Sequence, residues 1–198
     1  MYGFIRKWLN YLAWIPLAIA EMLVTLFAYP TVPFVALFAI GKDHLPNWLK
    51  WYETPDNGVD GDEGHIKRWA WLTNWCDKHN LHQLGLYIRR VAWMWRNKMY
   101  NFSYHVTGRN VQLPVKFKGN PNVESNSLST KGWVLLYNDE EWGFFCFLPW
   151  LRIGKYQFCL RCYLGWKMKG FERFNGVKQS ERAMLAYFIG PFRVIKIK

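Results

Sequence analysis

"WLNYLAWIPLAIAEMLVTLFAYPTVPFVALFAI", residues 8–40, carries a single charged side chain, Glu21. A bilayer core about 30 Å thick is crossed by roughly 20 apolar residues in a helix, so Trp8 to Tyr29 is long enough to span it. Pro30 and Pro33 then interrupt the pattern, because proline has no N–H to donate and disfavours helix at the residue before it. The run from Phe34 to Ile40 is too short for a second straight span. Three arrangements follow: one span with an interfacial stretch after it, a re-entrant hairpin turning at the prolines, or a buried hairpin. The first two are expected. Arg6 and Lys7 with "AIA" at 18–20 also fit a cleaved signal peptide. Cleavage there would leave a chain opening on some twenty further apolar residues, so an uncleaved anchor is expected instead.

Cations flank the segment: Arg6 and Lys7 before it, Lys42, Lys50, Lys67 and Arg68 after it. The positive-inside bias then puts the body on the cytoplasmic side, for a single span and for a hairpin alike. The chain as a whole, 198 residues with a net charge of +12, calls for an anionic partner surface, lipid headgroups or nucleic acid. Its thirteen tryptophans suit both a small core and a membrane interface. Directly after the anchor, "HLPNWLKWY" starts a short helix at Pro46. Trp48, Leu49, Trp51 and Tyr52 can line its membrane-facing side, and Trp48, Trp51 and Tyr52, with Lys50, are expected to contact lipid there, with core packing against the following helices as the alternative.

Residues 64–79 and 83–100 have helical periodicity. Trp71, Leu72 and Trp75 recur on the first; Leu84, Ile88, Val91 and Trp95 form a stripe on the second, beside Arg89, Arg90, Arg96 and Lys98. From about residue 104 the period becomes that of strands. "KGWVLLYN" and "EEWGFFCFLPW" flank an Asn138-Asp139-Glu140 turn, a hairpin signal. "YQFCLRCYLGWKM", residues 156–168, alternates one apolar and one mixed face, as a half-buried antiparallel strand does. Residues 182–189 and 192–197 are expected as further strands broken at Gly190-Pro191, with a short helix over 180–188 as the alternative; residues 119–130 are a polar loop.

That strand decides the "CLRC" motif. Residues three apart on a strand face opposite ways, so Cys159 and Cys162 diverge and do not form a zinc or redox pair. Cys162 is expected as a small core hydrophobe. The sequence has no Gly-x-Ser-x-Gly, Walker, dinucleotide-binding or His-Glu-x-x-His signature.

The acidic stretch is "TPDNGVDGDEG", residues 54–64. Pro55 presets a turn, Asp56 and Asn57 bond their own backbone, and Gly58 tolerates positive φ. Asp60 or Asp62 caps the next helix, and Glu63 complements its dipole. A second account makes Asp56, Asp60 and Asp62 divalent-cation ligands, although residue 67 is lysine where an EF-hand closes with glutamate. In a third the loop is an electrostatic clasp on Arg89, Arg90 or Arg96.

"LPNWLKWYETPDNGVDGDEG", then "RVAWMWRNKMYNF" and "YLGWKM", together resemble a group of small proteins encoded by tailed bacteriophages and prophages. The likeness runs over most of residues 45–168. It implies a phage origin, transfers no catalytic residue, and suggests that Thr54, Pro55, Asp56, Asn57, Gly61 and Asp62 act as a unit with Trp95, Arg96 and Asn97.

The expected architecture is α+β: a transmembrane or re-entrant anchor over 1–44, a Trp-rich helical region with the acidic loop over 45–103, and an antiparallel β domain over 104–198. The structural clasp is assigned to Thr54, Asp56, Asn57, Asp62, Arg96 and Asn97. The expected role is non-enzymatic, at the host inner membrane, with anionic lipids and a host or phage membrane protein as partners. A metal-dependent hydrolase on the acidic loop and a virion or DNA-entry component are the alternatives. No cofactor is expected outside the divalent cation of the first alternative.

Overall fold

A computed structural model describes residues 2–168 and 182–197. The fold is mixed helix and sheet, with a long apolar helix at the N-terminus and an antiparallel sheet towards the C-terminus. Helices α1 (Tyr2–Leu12) and α2 (Trp14–Leu37) open the chain. A 3₁₀ helix (Asn47–Tyr52), α3 (Glu63–Lys78) and α4 (His82–Arg96) follow. Strands β1 (Arg109–Asn110), β2 (Lys116–Gly119), β3 (Gly132–Tyr137), β4 (Trp142–Ile153), β5 (Tyr156–Trp166), β6 (Arg182–Ala183) and β7 (Leu185–Lys196) complete it. Two compact units result, Met1–Ala18 with Thr107–Lys198, and Ile19–Val106.

In the first unit β2-β3-β4-β5-β7 form one antiparallel sheet, and β1 pairs with β6. The β3–β4 hairpin is fixed by Asn138, whose side-chain oxygen accepts the N–H groups of Glu140 and Glu141 at 2.8 and 2.6 Å. Its amide donates to the buried Glu141 carboxyl at 2.8 Å. Burial pushes that carboxyl above its ordinary value, with the Asn138 bond working the other way. One face of the sheet packs a core of Val134, Leu136, Phe145, Phe147, Cys159 and Trp166. The start of the apolar segment joins this unit through its indoles and phenol. Trp14 Nε1 donates to the Ala186 carbonyl at 3.1 Å, Trp142 Nε1 to that of Tyr11 at 3.2 Å, and Tyr11 Oη to that of Asn138 at 2.7 Å.

The "CLRC" cysteines diverge, with Cys159 fully buried in the core cluster. Cys162 lies opposite Cys146 in the β4–β5 register, and both thiols are free. Gly190-Pro191 does not break the last strand. β7 runs through it, and the irregularity is absorbed as a register shift between Cys159 and Arg161 on β5. Of the helix alternative over 180–188, residues 182–188 are extended and residues 180–181 lie outside the described residues. Sheet structure also starts later than expected, because Tyr100–Thr107 still form helical turns.

In the second unit α2 does not turn at its prolines: both lie inside the helix, which continues to Leu37. The re-entrant hairpin is therefore corrected to a continuous helix. A proline at position 33 strands the carbonyl of residue 29, four earlier, by removing its donor. Trp95 Nε1 from α4 supplies the replacement, donating to the Tyr29 carbonyl at 2.9 Å. Thr31 Oγ1 also bonds back to the Phe27 carbonyl at 2.9 Å. Ala28, Val32, Val35 and Ala36 form the buried stripe of α2, packed with Leu45, Leu49, Val59, Val91 and Met94. The expected stripe of α4 is displaced: Leu84 and Trp95 are exposed, and the buried face carries Arg90, Val91 and Met94. On α3, Trp71 and Trp75 likewise point outward, and His65 and Cys76 are the buried positions.

Replacing Trp95 by Phe removes the donor to Tyr29 and is expected to cost about 1 kcal/mol. In a Pro33→Ala background the helix recovers its own N–H, and the same substitution is expected to cost clearly less. A double-mutant cycle by chemical denaturation in detergent checks this; equal costs in the two backgrounds would refute the exchange of donors.

Candidate functional site

Turn chemistry shapes the acidic loop first. Thr54 and Gly58 form an isolated antiparallel bridge, Asn57 N–H donates to Thr54 Oγ1 at 3.2 Å, and Thr54 Oγ1 donates to the Gly58 carbonyl at 3.5 Å. Asp56 and Pro55 are exposed at its tip. Trp93 Nε1 of α4 donates to the Gly58 carbonyl at 3.3 Å, so the turn is bolted to a helix rather than hanging free. Gly61 has φ +88°, and a Cβ there would sit 2.8–2.9 Å from the rings of His65 and Trp93. Glycine is required twice over at this position, by backbone conformation and by space.

Three carboxylates then take three different partners. Asp60 accepts from Arg90 Nε at 2.8 Å, Arg90 Nη2 at 3.1 Å and Arg89 Nη2 at 3.1 Å. Burial alone would raise its pKa, but the bonds from Arg90 and then Arg89 hold it below the ordinary 3.8. Arg90 also donates through Nη1 to the Ala39 carbonyl just past α2, at 2.6 Å. Asp62 is the N-cap of α3, accepting the His65 N–H at 2.6 Å, with Arg96 Nη1 3.7 Å from its other oxygen. Glu53, almost fully buried, accepts the Leu45 N–H and faces His44 Nδ1 at 3.5 Å.

His65 is buried between tryptophans, its ring centroid 5.1 Å from Trp93 and 6.2 Å from Trp69. Its Nε2 lies 2.9 Å from the Arg89 carbonyl. Burial pushes its pKa below the ordinary 6.5, and the neighbouring Arg96 charge works in the same direction. Arg96 itself lies over the Trp93 ring at 5.3 Å.

The structure thus brings Thr54, Asn57, Asp60, Asp62 and Arg96 together around Trp93. Asp56 stands at the exposed tip, where its charge adds to burial in raising the Tyr100 pKa. Asn97 caps the C-terminus of α4, with its backbone N–H and Nδ2 both donating to the Trp93 carbonyl. Arg89 and Arg90 take the central place in the clasp. As a cation site the loop is unsuited: Asp60 and Asp62 are committed to arginines and a backbone donor. Among the described residues no group of three or more His, Cys, Asp or Glu is placed to hold a metal ion. Beside the turn, Asp43, His44, Lys50, Glu53, Asp56 and His105 line an open cleft of about 850 Å³.

Among the expected lipid contacts, Trp48 and Trp51 are exposed, as is Lys50. Leu49 and Tyr52 are corrections: both are buried, and the Tyr52 hydroxyl lies 2.8 Å from Thr31 Oγ1 of α2. A 3₁₀ helix repeats every three residues, which puts Leu49 and Tyr52 on the same inner face.

The model of a family described as a family of unknown function (DUF7338) matches residues 6–197. No curated protein and no solved structure matches the chain.

Asp60→Asn leaves Arg90 buried without its counter-charge and is expected to cost about 3 kcal/mol at neutral pH. The sign follows from linkage: a depressed carboxyl pKa stabilises above the unfolded value near 3.8 and loses that contribution as pH falls through the folded pKa. Urea midpoints of both proteins at pH 7 and below pH 4 check it, the gap closing at the acid end. For His65 the depressed pKa makes the unfolded chain bind the proton first, so stability falls as pH drops below about 6.5. His65→Gln, which cannot titrate, is expected to flatten the melting temperature between pH 6.5 and 5; an unchanged slope would exclude His65 as its source.

Proposed function

The chain belongs to the DUF7338 family of unknown function, and on that premise we propose a membrane-anchored accessory protein of a tailed bacteriophage, acting at the host inner membrane through lipid and protein contacts. The observation that carries this reading is the helix. The end of α1 runs through Ala13, whose N–H donates to the Leu9 carbonyl, into α2, so that Lys7–Leu37 is 31 residues long and apolar enough to cross a membrane, with only 17% of its most apolar stretch buried against the rest of the chain. At 1.5 Å per residue it measures roughly 46 Å, against a hydrocarbon core of about 30 Å.

What stays exposed is systematic. Leu12, Ile15, Ile19, Leu23, Phe27 and Phe34 lie open along it, while Ala28, Val32, Val35 and Ala36 are buried in the cluster with Leu49, Val59 and Met94. In water such a stripe is a liability; in a bilayer it is the solvated side. The helix's one acid, Glu21, is buried and accepts a hydrogen bond from Ser103 Oγ at 2.8 Å. A carboxyl at membrane depth needs such an internal partner.

Trp48 and Trp51 with Lys50 follow α2 at the level where amphipathic rings and cations meet headgroups. The cations at 42, 50, 67 and 68 favour a cytoplasmic body, and the sequence resemblance to phage and prophage proteins supplies the source. No catalytic role is part of the proposal; in the acidic loop Asp60 is held by Arg89 and Arg90, and Asp62 by the His65 N–H.

The full chain is expected to sediment with membranes and to stay there through an alkaline carbonate wash. Arginine at both Leu23 and Phe27 adds about 2.5–3.5 kcal/mol per site to insertion and is expected to release it. Recovery of the unmodified chain in the supernatant without detergent would end the proposal. Protease added to intact spheroplasts is expected to leave the body uncut.

A further inference from the structure

We propose that the far end of the β4–β5–β7 ribbon is a second lipid-binding surface, which lays its apolar face into the headgroup layer of an anionic bilayer. Residues opposite one another in an antiparallel register share a face. Two such rows cross the three strands here: Leu151–Phe158–Val194, and Ile153–Tyr156–Lys196. Leu151, Ile153, Tyr156 and Val194 are all exposed.

The β4 irregularity between Pro149 and Leu151 adds Trp150 to this end. Its ring meets Phe158 at 6.4 Å and Phe192 edge-on at 6.0 Å, and its Nε1 donates to the Pro191 carbonyl at 2.6 Å. Phe192 is the most exposed large apolar side chain described, at 71%. The aromatic group is therefore held rigid yet left uncovered. Burying a fully exposed phenylalanine is worth about 1.5–3 kcal/mol, so an occupant is called for.

Charge selects it. From 142 to 168 and from 182 to 197 there is no acidic residue, while Arg152, Lys155, Arg193 and Lys196 stand exposed around the tip. A second copy of the chain would set these cations against themselves. Nucleic acid would find aromatic faces, but also Leu151, Ile153 and Val194, which offer no base a partner. Anionic lipid satisfies both parts, acyl chains for the aliphatics and headgroups for the cations, with the indole at the boundary between them. The inference rests on the anchored reading only for bringing a bilayer within reach; the tip's chemistry is its own.

All four native cysteines are buried, so a single exposed one accepts a polarity-sensitive dye selectively. Phe192→Cys places the dye on the tip, and Glu124→Cys, in the exposed polar loop, is the control. The full chain is reconstituted into vesicles of phosphatidylcholine alone or mixed with phosphatidylglycerol, and flotation is scored with each. In the anionic vesicles the dye at 192, not that at 124, is expected to shift to the blue and be quenched by lipids labelled near the headgroup. Adding Lys155→Glu and Lys196→Glu is expected to lower the docked-to-free ratio by more than about tenfold. A chain that floats while its 192 dye stays in water overturns the surface and leaves the anchor standing. Protection that follows protein concentration or added oligonucleotide, instead of lipid charge, also overturns it. A chain that does not float removes the anchor, and the inference with it.

Discussion

One guanidinium organises the helical unit. Arg90 has a side chain 6% exposed, and it holds the Asp60 carboxylate with two nitrogens and the Ala39 carbonyl with a third. A charge so placed is tolerated only while its partners stay in position, since an unpaired one costs several kcal/mol. The partners come from the chain just past α2 and from the acidic turn. Closing this contact therefore fixes where α2 ends and how the turn enters α3. It also sets which face of α4 is inward, and the hydrophobic stripe alone would have chosen a different one. The apolar packing of Val32, Val59, Val91 and Met94 supplies attraction without direction; the arginine supplies direction.

The periodicities in the sequence identified the sheet well. Alternation over 156–168 marks a strand, yet the core cluster takes Cys159 and Tyr163 from the mixed face, with Trp166, rather than the apolar row through Phe158, Cys162 and Leu164; the hairpin at 138–141 announces itself through its own side-chain bonding. What the sequence withheld was mostly decided by partners distant along the chain. Pro30 and Pro33 look like helix breakers locally, and nothing near them says that a tryptophan more than sixty residues later replaces a missing donor. The helical spacing of Trp71 and Trp75 does not say which face is inward; both lie outside, and His65 and Cys76 are the buried positions of α3. In the acidic stretch, carboxylate count suggested a cation site. Arginine pairing was weighed there as well, but Asp60 was not separated from its neighbours, since neither turn chemistry nor capping distinguishes it from Asp62.

Aromatic usage is the thread joining the two units. In each, indole N–H groups donate to backbone carbonyls: Trp14 and Trp142 in the first, Trp93 and Trp95 in the second. A tryptophan can cover apolar surface and satisfy a stranded carbonyl at once. That dual use explains how a chain with thirteen of them folds with few charged contacts inside. Other tryptophans are left exposed, Trp48, Trp51, Trp71, Trp75 and Trp150 among them.

Pro191 has a consequence for how the protein behaves in a crowd of its own copies. Among the described residues β7 is the last strand of its sheet, twelve residues long and mostly apolar, the kind of border on which chains stack into fibres. A proline at its middle offers no N–H to an incoming strand, and the neighbouring register shift bends the ribbon there. The border is divided into two short ladders, each a poorer template for a neighbour than one unbroken edge of twelve residues.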